Sequence, residues 1–271
     1  MEIIHHVVFA GSDQITEDIE NLGIKYEGSP PWNIGVFDIP ESDQNWPRVS
    51  QLIAEKDLPD RSYTLFTEDE VLSAEWLRMN VTFEQGHPQP ESKWRETTLG
   101  LDRVCGRCYL DAFQKQDFQI KKEPHLGKKD FVSLYSTAAI LASSRVFEVF
   151  EWSGIRGYSK RPVLIRSTQR PSQTVSQIYV PQETEPGLIE TPVLRTEICK
   201  ECQRAKFNRA MNGRIQYRRD AFPTDVDFVL SHEWFGSGWI AFQEVFVSNR
   251  VARLVVEHGW KGLLLDPLEL H

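Results

Sequence analysis

Two Cys-x-x-Cys pairs, far apart in the chain, constrain its fold more than any other feature of the sequence. The first pair is Cys105 and Cys108, the second is Cys199 and Cys202, and together they are all four cysteines of the 271 residues. A spacing of two residues lets one turn present two thiolates to a single ion, and Zn²⁺ prefers four such ligands in a tetrahedron. The pairs therefore predict a zinc site with four cysteine ligands, which would be structural because four protein ligands leave no open coordination position.

Disulfide bonds, four unrelated thiols or a redox-active Cys-x-x-Cys are the alternative interpretations. Zinc ribbons usually separate their two pairs by about 15–20 residues, whereas here residues 109–198 lie between them. One shared ion would therefore join two distant parts of the chain. The net charge is −8 and the N-terminal residues lack the basic segment and cleavage site of a secretory signal. We therefore expect a cytoplasmic protein, in which disulfides rarely persist, and the presence of two pairs favours a metal over a redox motif.

Each cysteine pair opens one of two similar stretches, which predicts a degenerate internal repeat. The matched positions are Ser143 and Ser248, Arg145 and Arg250, Gly154 and Gly259, Gly157 and Gly262, Pro162 and Pro267, and, at a smaller offset, Asp130 and Asp227. Each copy is expected to contain a cysteine pair, two strand segments, a helix, a Gly-x-x-Gly turn and a final strand.

The first 66 residues alternate short strand-like segments with two amphipathic helical patterns, in the order βαββαβ. This order predicts a small ferredoxin-like layer. A capping box at Thr67 and Glu70 predicts a short helix that continues through Leu77. The sequence therefore predicts an α+β protein with an acidic domain at 1–80 and two tandem β-α-β repeats, joined by the four-cysteine zinc ribbon, at 97–192 and 193–271.

The charge is distributed unevenly along the chain. Residues 1–100 contain 7 Lys and Arg against 19 Asp and Glu, a net of −12, and the remaining residues have a net of +4. An acidic surface suits a basic protein partner and disfavours nucleic acid, although it also serves ordinary solubility. The candidate partner-binding residues are Glu17, Asp18, Glu20, Glu68, Asp69 and Glu70.

We find no motif that marks a catalytic centre. The sequence has no P-loop, dinucleotide fingerprint, nucleophile elbow or His-Glu-x-x-His, so we predict that the protein is not an enzyme and name no catalytic or cofactor-binding residue. Arg145 and Arg250 recur at predicted helix starts, where anions can bind. They are interpreted either as a phosphate clamp, as in an enzyme acting on a small anion, or as structural partners of Asp130 and Asp227. His232 and Glu233 could form an acid–base pair, but we expect an exposed loop there.

The first cysteine pair follows an Ala-Glu-Trp-Leu segment at 74–77 and a turn-rich segment at 86–94, and the second lies near residue 200. This arrangement resembles the double-CXXCG motif family, which is associated with immunity proteins of swarming-inhibition (Sit-type) toxin systems. The resemblance covers residues 65–271. It implies a metal role for the four cysteines and a cognate toxin as partner. The family has Gly after the second cysteine of each pair, where this chain has Tyr109 and Gln203.

A zinc-ribbon nucleic-acid-binding or regulatory protein is the alternative function. Its support is a basic stretch with interleaved aromatic residues. The cations of this stretch are Arg204, Lys206, Arg209, Arg214, Arg218 and Arg219. A membrane partner is not expected, because no apolar run approaches the roughly 18–20 residues of a membrane span.

Overall fold

The structure is a computed structural model that describes residues 1–11, 13–29, 34–102, 104–191, 194, 196–208, 212–238 and 240–271. It shows an α+β protein, as the sequence predicts. The chain divides into two compact units, Met1–Thr67 with Ala210–Gly213, and Glu68–Arg209 with Arg214–His271. The predicted first domain, 1–80, extends past the boundary at Thr67 and into the second unit.

The first unit contains the predicted βαββαβ order. Its elements are β1 (Glu2–Ala10), α1 (Asp13–Asn21), β2 (Glu27–Ser29), β3 (Ile34–Pro40), α2 (Trp46–Lys56) and β4 (Asp60–Leu65). The sheet order is β2-β3-β1-β4 and all neighbouring strands are antiparallel. This is the ferredoxin-like arrangement that the sequence predicts.

The core of the first unit lies between its sheet and its two helices. Alternate residues of β1 point inward, so Val7 and Phe9 are buried and pack with Ile19 of α1 and Val49 of α2. Gly35 of β3 lies directly under the Phe9 ring, where a Cβ atom would overlap the ring. The small residue therefore gives the aromatic side chain its place in the core.

The second unit is larger and contains both cysteine pairs. Its helices are α3 (Glu68–Ser73), α4 (Trp94–Thr97), α5 (Ser144–Trp152) and α6 (Asn249–Glu257), with a 3-10 turn at Arg219–Ala221. Its strands are β5 (Trp76–Val81), β6 (Leu101–Asp102), β7 (Phe113–Gln114), β8 (Phe118–Ile120), β9 (Phe131–Val132), β10 (Ile140–Ser143), β11 (Ser159–Ile165), β12 (Arg170–Tyr179), β13 (Thr196–Ile198), β14 (Ala205–Phe207), β15 (Gln216–Tyr217), β16 (Phe228–Phe235), β17 (Phe242–Ser248), β18 (Leu263–Pro267) and β19 (Glu269–Leu270).

Two local predictions in the second unit are wrong. The helix that begins after Thr67 ends at Ser73, and Leu77 lies in β5. Leu77 and Met79 are buried there because β5 pairs with both β17 and β18, so tertiary pairing overrides the local helix signal. His232 and Glu233 lie in β16 rather than in a loop.

The two main sheets of the second unit show the internal repeat. One has the order β8-β11-β12-β10-β9, and the other has the order β13-β14-β16-β17-β5-β18. Strands β9, β10 and β11 correspond to β16, β17 and β18, as the matched positions predict. In each sheet a fourth strand lies among these three: β12 lies between β11 and β10, and β5 lies between β18 and β17. The second copy therefore completes its sheet with a strand that precedes both copies in the chain.

Helices α5 and α6 supply one shared core between these sheets. Each helix buries three residues of one face, at a first position and at the positions one and four residues later. These residues are Val146, Phe147 and Phe150 in α5 and Val251, Ala252 and Val255 in α6. The aromatic rings of Phe150, Phe228 and Trp260 meet edge to face in the same core. Both copies therefore share one hydrophobic cluster, and the first copy has a second cluster of its own, with members from β8, β9, β10, β11 and β12.

The helices in the described part of the chain include none that is long and apolar enough to cross a membrane.

Candidate metal centre

The structure brings all four cysteines together. The Sγ atoms of Cys105 and Cys199 are 4.0 Å apart, and those of Cys108 and Cys202 are 3.6 Å apart. All four sulfur atoms lie within 4.8 Å of one another. Cys105, Cys108 and Cys199 are buried, and Cys202 is half-buried. The two pairs therefore form one compact cluster, although Cys105 and Cys199 are 94 residues apart in sequence. The two Cys-x-x-Cys motifs predict this common site.

Each cysteine pair is shaped by a tight backbone turn. In the first turn the Arg107 N–H donates to Cys105 Sγ at 3.4 Å. In the second, the Gln203 N–H donates to the Cys199 carbonyl oxygen at 2.9 Å. Tyr109 and Gln203, the residues that follow the second cysteines, have left-handed backbones with φ of 59° and 57°. The turn thus keeps the conformation that glycine adopts most easily, although neither residue is glycine.

The surroundings of the sulfur atoms divide the thiols into two kinds. Backbone N–H groups of Cys202 and Glu201 donate to Cys199 and lower the pKa of its thiol to about 6. Backbone donors also lower the pKa of Cys105. Burial raises the pKa of Cys108 to about 12, and burial also raises the pKa of Cys202. A cation at the centre would favour the thiolate form of all four, because an adjacent positive charge offsets the cost of burying negative charge.

The donor set and its dimensions fit a tetrahedral metal ion. With metal–sulfur bonds of about 2.3 Å, sulfur atoms at the corners of a tetrahedron are about 3.8 Å apart. The separations of 3.6 and 4.0 Å lie on either side of this value. They are far longer than a disulfide bond of about 2.05 Å, and all four cysteines are free. The cluster is therefore compatible with a bound metal ion.

Side chains around the cluster hold the two turns against each other. Leu110, Trp234 and Ala241 pack against the cysteines. The Arg204 guanidinium, beyond the second pair, forms an ion pair with Asp111, beyond the first. No sequence signal indicates this contact, because Asp111 belongs to no motif.

Arg145 and Arg250 form ion pairs with the repeated aspartates. This is the structural role that the sequence suggests as one of two alternatives. Arg145 contacts Asp130 at 2.5 Å, and Arg250 contacts Asp227 at 2.9 Å. Both carboxylates are buried, while both guanidinium groups are more than half exposed. Because Asp130 directly precedes β9 and Asp227 directly precedes β16, the pairing fixes the start of each helix relative to one of these strands.

The carboxylate of each aspartate also accepts a hydrogen bond from the other repeat. We call these two contacts the reciprocal clasps. Asp130 of the first copy accepts from the Lys261 N–H in the second Gly-x-x-Gly turn, at 3.1 Å. Asp227 of the second copy accepts from the Arg156 N–H in the first turn, at 3.0 Å. Each copy thus holds the turn of the other.

The predicted partner-binding residues belong to two different units. Glu17, Asp18 and Glu20 lie on α1 in the first unit, and Glu68, Asp69 and Glu70 open α3 in the second. Asp18 lies 3.8 Å from Lys56, Glu20 accepts from the Tyr26 hydroxyl, and Glu70 pairs with Arg214. Glu17, Glu20, Glu68 and Asp69 are exposed.

The described cations of the basic stretch are engaged within the protein. Lys206 is fully buried and donates to the carbonyl oxygens of Gly238 and Ile240. Arg214, Arg218 and Arg219 pair with Glu70, Asp220 and Glu75, respectively. Arg209 lies outside the described residues. This pairing leaves little uncompensated positive charge for the phosphates of a nucleic acid.

The comparisons of the sequence with protein families and with curated proteins identify no relative. No protein-family model matches the chain, and no curated protein matches it at a significant level. The geometry of the cysteine cluster and the distribution of charge are therefore the observations from which a function can be inferred.

Proposed function

We propose that this chain is a zinc-containing immunity-type protein that binds and neutralises a cognate bacterial toxin. The observation that carries the proposal is the location of its negative charge. Residues 1–67 contain four Lys and Arg against twelve Asp and Glu, a net charge of −8, and the other residues contain 27 of each kind. The whole net charge of the protein thus resides in the first unit.

A concentrated negative charge suits a basic protein partner. Complementary charge accelerates association and discriminates against wrong partners more than it adds affinity. A toxin that acts on nucleic acid carries positive charge for its own substrate, so an acidic inhibitor can compete for that surface. The resemblance of residues 65–271 to the double-CXXCG motif family would imply the same class of partner.

The proposed zinc has a structural role. Four thiolates complete the tetrahedral shell, which leaves no position for water or substrate. Three of the four cysteines are buried, so the ion would be shielded from solvent. The ion would join segments that are 94 residues apart and would do no chemistry itself. We accordingly propose a non-catalytic protein that acts by occupying a toxin surface.

The exposed acidic residues are the first candidates for contact with the toxin. Glu17 and Glu20 on α1 and Glu68 and Asp69 on α3 are exposed. Asp18 and Glu70 already form ion pairs with Lys56 and Arg214, whereas Glu20 accepts from the neutral Tyr26 hydroxyl, which does not compensate its charge. We therefore expect the four exposed residues to contribute most of the charge-dependent binding.

The proposal is tested with a toxin isolated by affinity capture on the tagged protein, identified by mass spectrometry and then purified. The expected partner is basic, binds one to one, and arrests bacterial growth unless this chain is co-expressed. Reversing the charge at Glu17 and Glu20, or at Glu68 and Asp69, to Lys should weaken binding at least tenfold, while the free protein stays folded and loses no more than about 1–2 kcal/mol of stability.

The matched control reverses Glu148 and Glu151 on the exposed side of α5, which changes the net charge equally at a different surface. Affinities measured by calorimetry at two salt concentrations distinguish the variants. Equal affinity of all variants would refute the acidic contact surface. Failure of every captured protein to be toxic, or of this chain to protect against it, would refute the immunity function.

A further inference from the structure

A cavity of 510 Å³ opens in the second unit, beside the reciprocal clasp of Asp227. Its volume lies within the roughly 300–1,000 Å³ of sites for small molecules. One part of its lining is aromatic, because Trp76 and Phe222 stack with ring centroids 4.7 Å apart. The other part carries three arginines, Arg156, Arg219 and Arg250. The cavity therefore offers an apolar surface next to a group of cations.

The charges of the cavity do not balance. Arg219 pairs with Glu75, and Arg250 pairs with Asp227, and both carboxylates also line the cavity. Within the described part of the chain, no carboxylate lies within ion-pair distance of the Arg156 guanidinium group. Three guanidinium groups against two carboxylates leave one positive charge, which a ligand with a single negative charge would neutralise.

The backbone that carries these arginines is fixed in place. The buried Asp227 accepts from the Arg156 N–H at 3.0 Å and from Arg250 at 2.9 Å. Arg250 also donates to the Ser153 carbonyl oxygen at 2.8 Å. Gly157, next to Arg156, lies so close to the Phe228 carbonyl oxygen that a Cβ atom would overlap it. The turn that presents Arg156 is thus held before any ligand arrives, which reduces the entropic cost of binding.

We propose that this cavity binds an organic carboxylate. The carboxylate oxygens accept from Arg156 and from its arginine neighbours, because the guanidinium group matches the geometry of a carboxylate. The apolar body of the ligand lies against the aromatic wall. A free carboxylic acid and the C-terminal carboxylate of a peptide share this chemistry, and both fit the single charge that the cavity lacks. Neither the four cysteines nor the acidic residues proposed to contact the toxin are among the described residues that line the cavity.

The test measures binding of two probes, 3-phenylpropionate and the tripeptide acetyl-Ala-Ala-Phe, to the full chain by calorimetry. Each probe has its amide as a control, which keeps the shape and removes the charge. We expect at least one acid to bind with a dissociation constant below about 1 mM, and its amide to bind at least tenfold more weakly. Tighter binding of the tripeptide identifies a peptide terminus, and equal or tighter binding of 3-phenylpropionate identifies a free acid.

The decisive variant is Arg156→Gln, which removes the uncompensated cation without breaking an ion pair. It should weaken binding of the acid at least tenfold and leave the melting temperature unchanged. The matched control is Lys261→Gln, at the equivalent position of the other repeat and outside the lining of this cavity. Undetectable binding of both acids, equal affinity of acid and amide, or unchanged affinity in Arg156→Gln would overturn the proposal.

Discussion

At the residue scale, the position after each second cysteine shows how a strained turn is retained. Tyr109 and Gln203 both have left-handed backbones, which cost an ordinary residue about 1–2 kcal/mol. Tyr109 recovers part of this cost, because its hydroxyl donates to Glu96 at 2.5 Å and the Arg95 guanidinium lies 4.6 Å from its ring centroid. Gln203 is exposed, and its side chain makes a local bond to the Lys200 carbonyl oxygen.

Replacing the two residues by glycine should therefore have opposite effects. Gln203→Gly relieves the strained backbone and should raise the free energy of unfolding by about 0.5–1 kcal/mol, after the greater flexibility of glycine in the unfolded chain is deducted. Tyr109→Gly relieves the same strain but loses the ring contacts, and should destabilise the protein. Urea denaturation of the metal-loaded variants measures both changes. A stability loss in Gln203→Gly would contradict the account of this turn.

The glycines of each Gly-x-x-Gly turn also differ from each other. A Cβ atom at Gly157 or Gly262 would overlap the carbonyl oxygen of Phe228 or Phe131, whereas Gly154 has open space around it. We expect Gly157→Ala and Gly262→Ala to cost several kcal/mol of stability, on the order of 3 kcal/mol each. Gly154→Ala should cost only the positive-φ penalty of about 1–2 kcal/mol. Equal melting temperatures of the three variants would show that the close approach does not determine the turn.

At the element scale, the reciprocal clasps make each repeat depend on the other. Asp130 and Asp227 are buried and each binds an arginine of its own copy and a backbone N–H of the other copy. Asp130→Asn and Asp227→Asn should each destabilise the protein by about 2 kcal/mol, less than a fully buried pair would lose, because both arginines are partly exposed. The control Asp220→Asn, in an exposed pair with Arg218, should change stability by less than about 0.5 kcal/mol. If denaturant unfolding gave the three variants the same free energy of unfolding, the clasps would be excluded as a stabilising feature.

The elements that can be predicted from the sequence are those whose signals are local or repeated. The βαββαβ order follows from the hydrophobic pattern, and the pairing of Arg145 with Asp130 follows from their recurrence as Arg250 with Asp227. Strand β5 cannot be predicted from the sequence, because its strand conformation depends on pairing with β17 and β18, which lie more than 160 residues further along the chain. The sequence suggests Lys206 as part of a basic, nucleic-acid-binding stretch, whereas its side chain is buried, which charge alone does not show. For the cysteines, the motif predicts a common site, but only the fold could bring the two pairs together.

At the scale of the whole molecule, the two units differ in what stabilises them. Each unit has its own hydrophobic core, and the second also contains the cysteine cluster. Removal of the metal with a chelator should therefore increase hydrogen exchange around the cysteine turns, at the backbone N–H groups of Cys199 and Gln203 and in β14. Exchange in β1, which pairs with strands on both sides, should stay the same. Unchanged exchange at the cysteine turns would show that no metal holds them.

The metal content and the thiol state of the purified protein, measured by elemental analysis and thiol titration, decide whether the four cysteines hold an ion. The cluster of Cys105, Cys108, Cys199 and Cys202 predicts one zinc per chain and four thiols that react only after a chelator is added. Absence of metal, with four thiols that react at once, would contradict the proposed centre, and the two distant cysteine pairs would then have no common ligand.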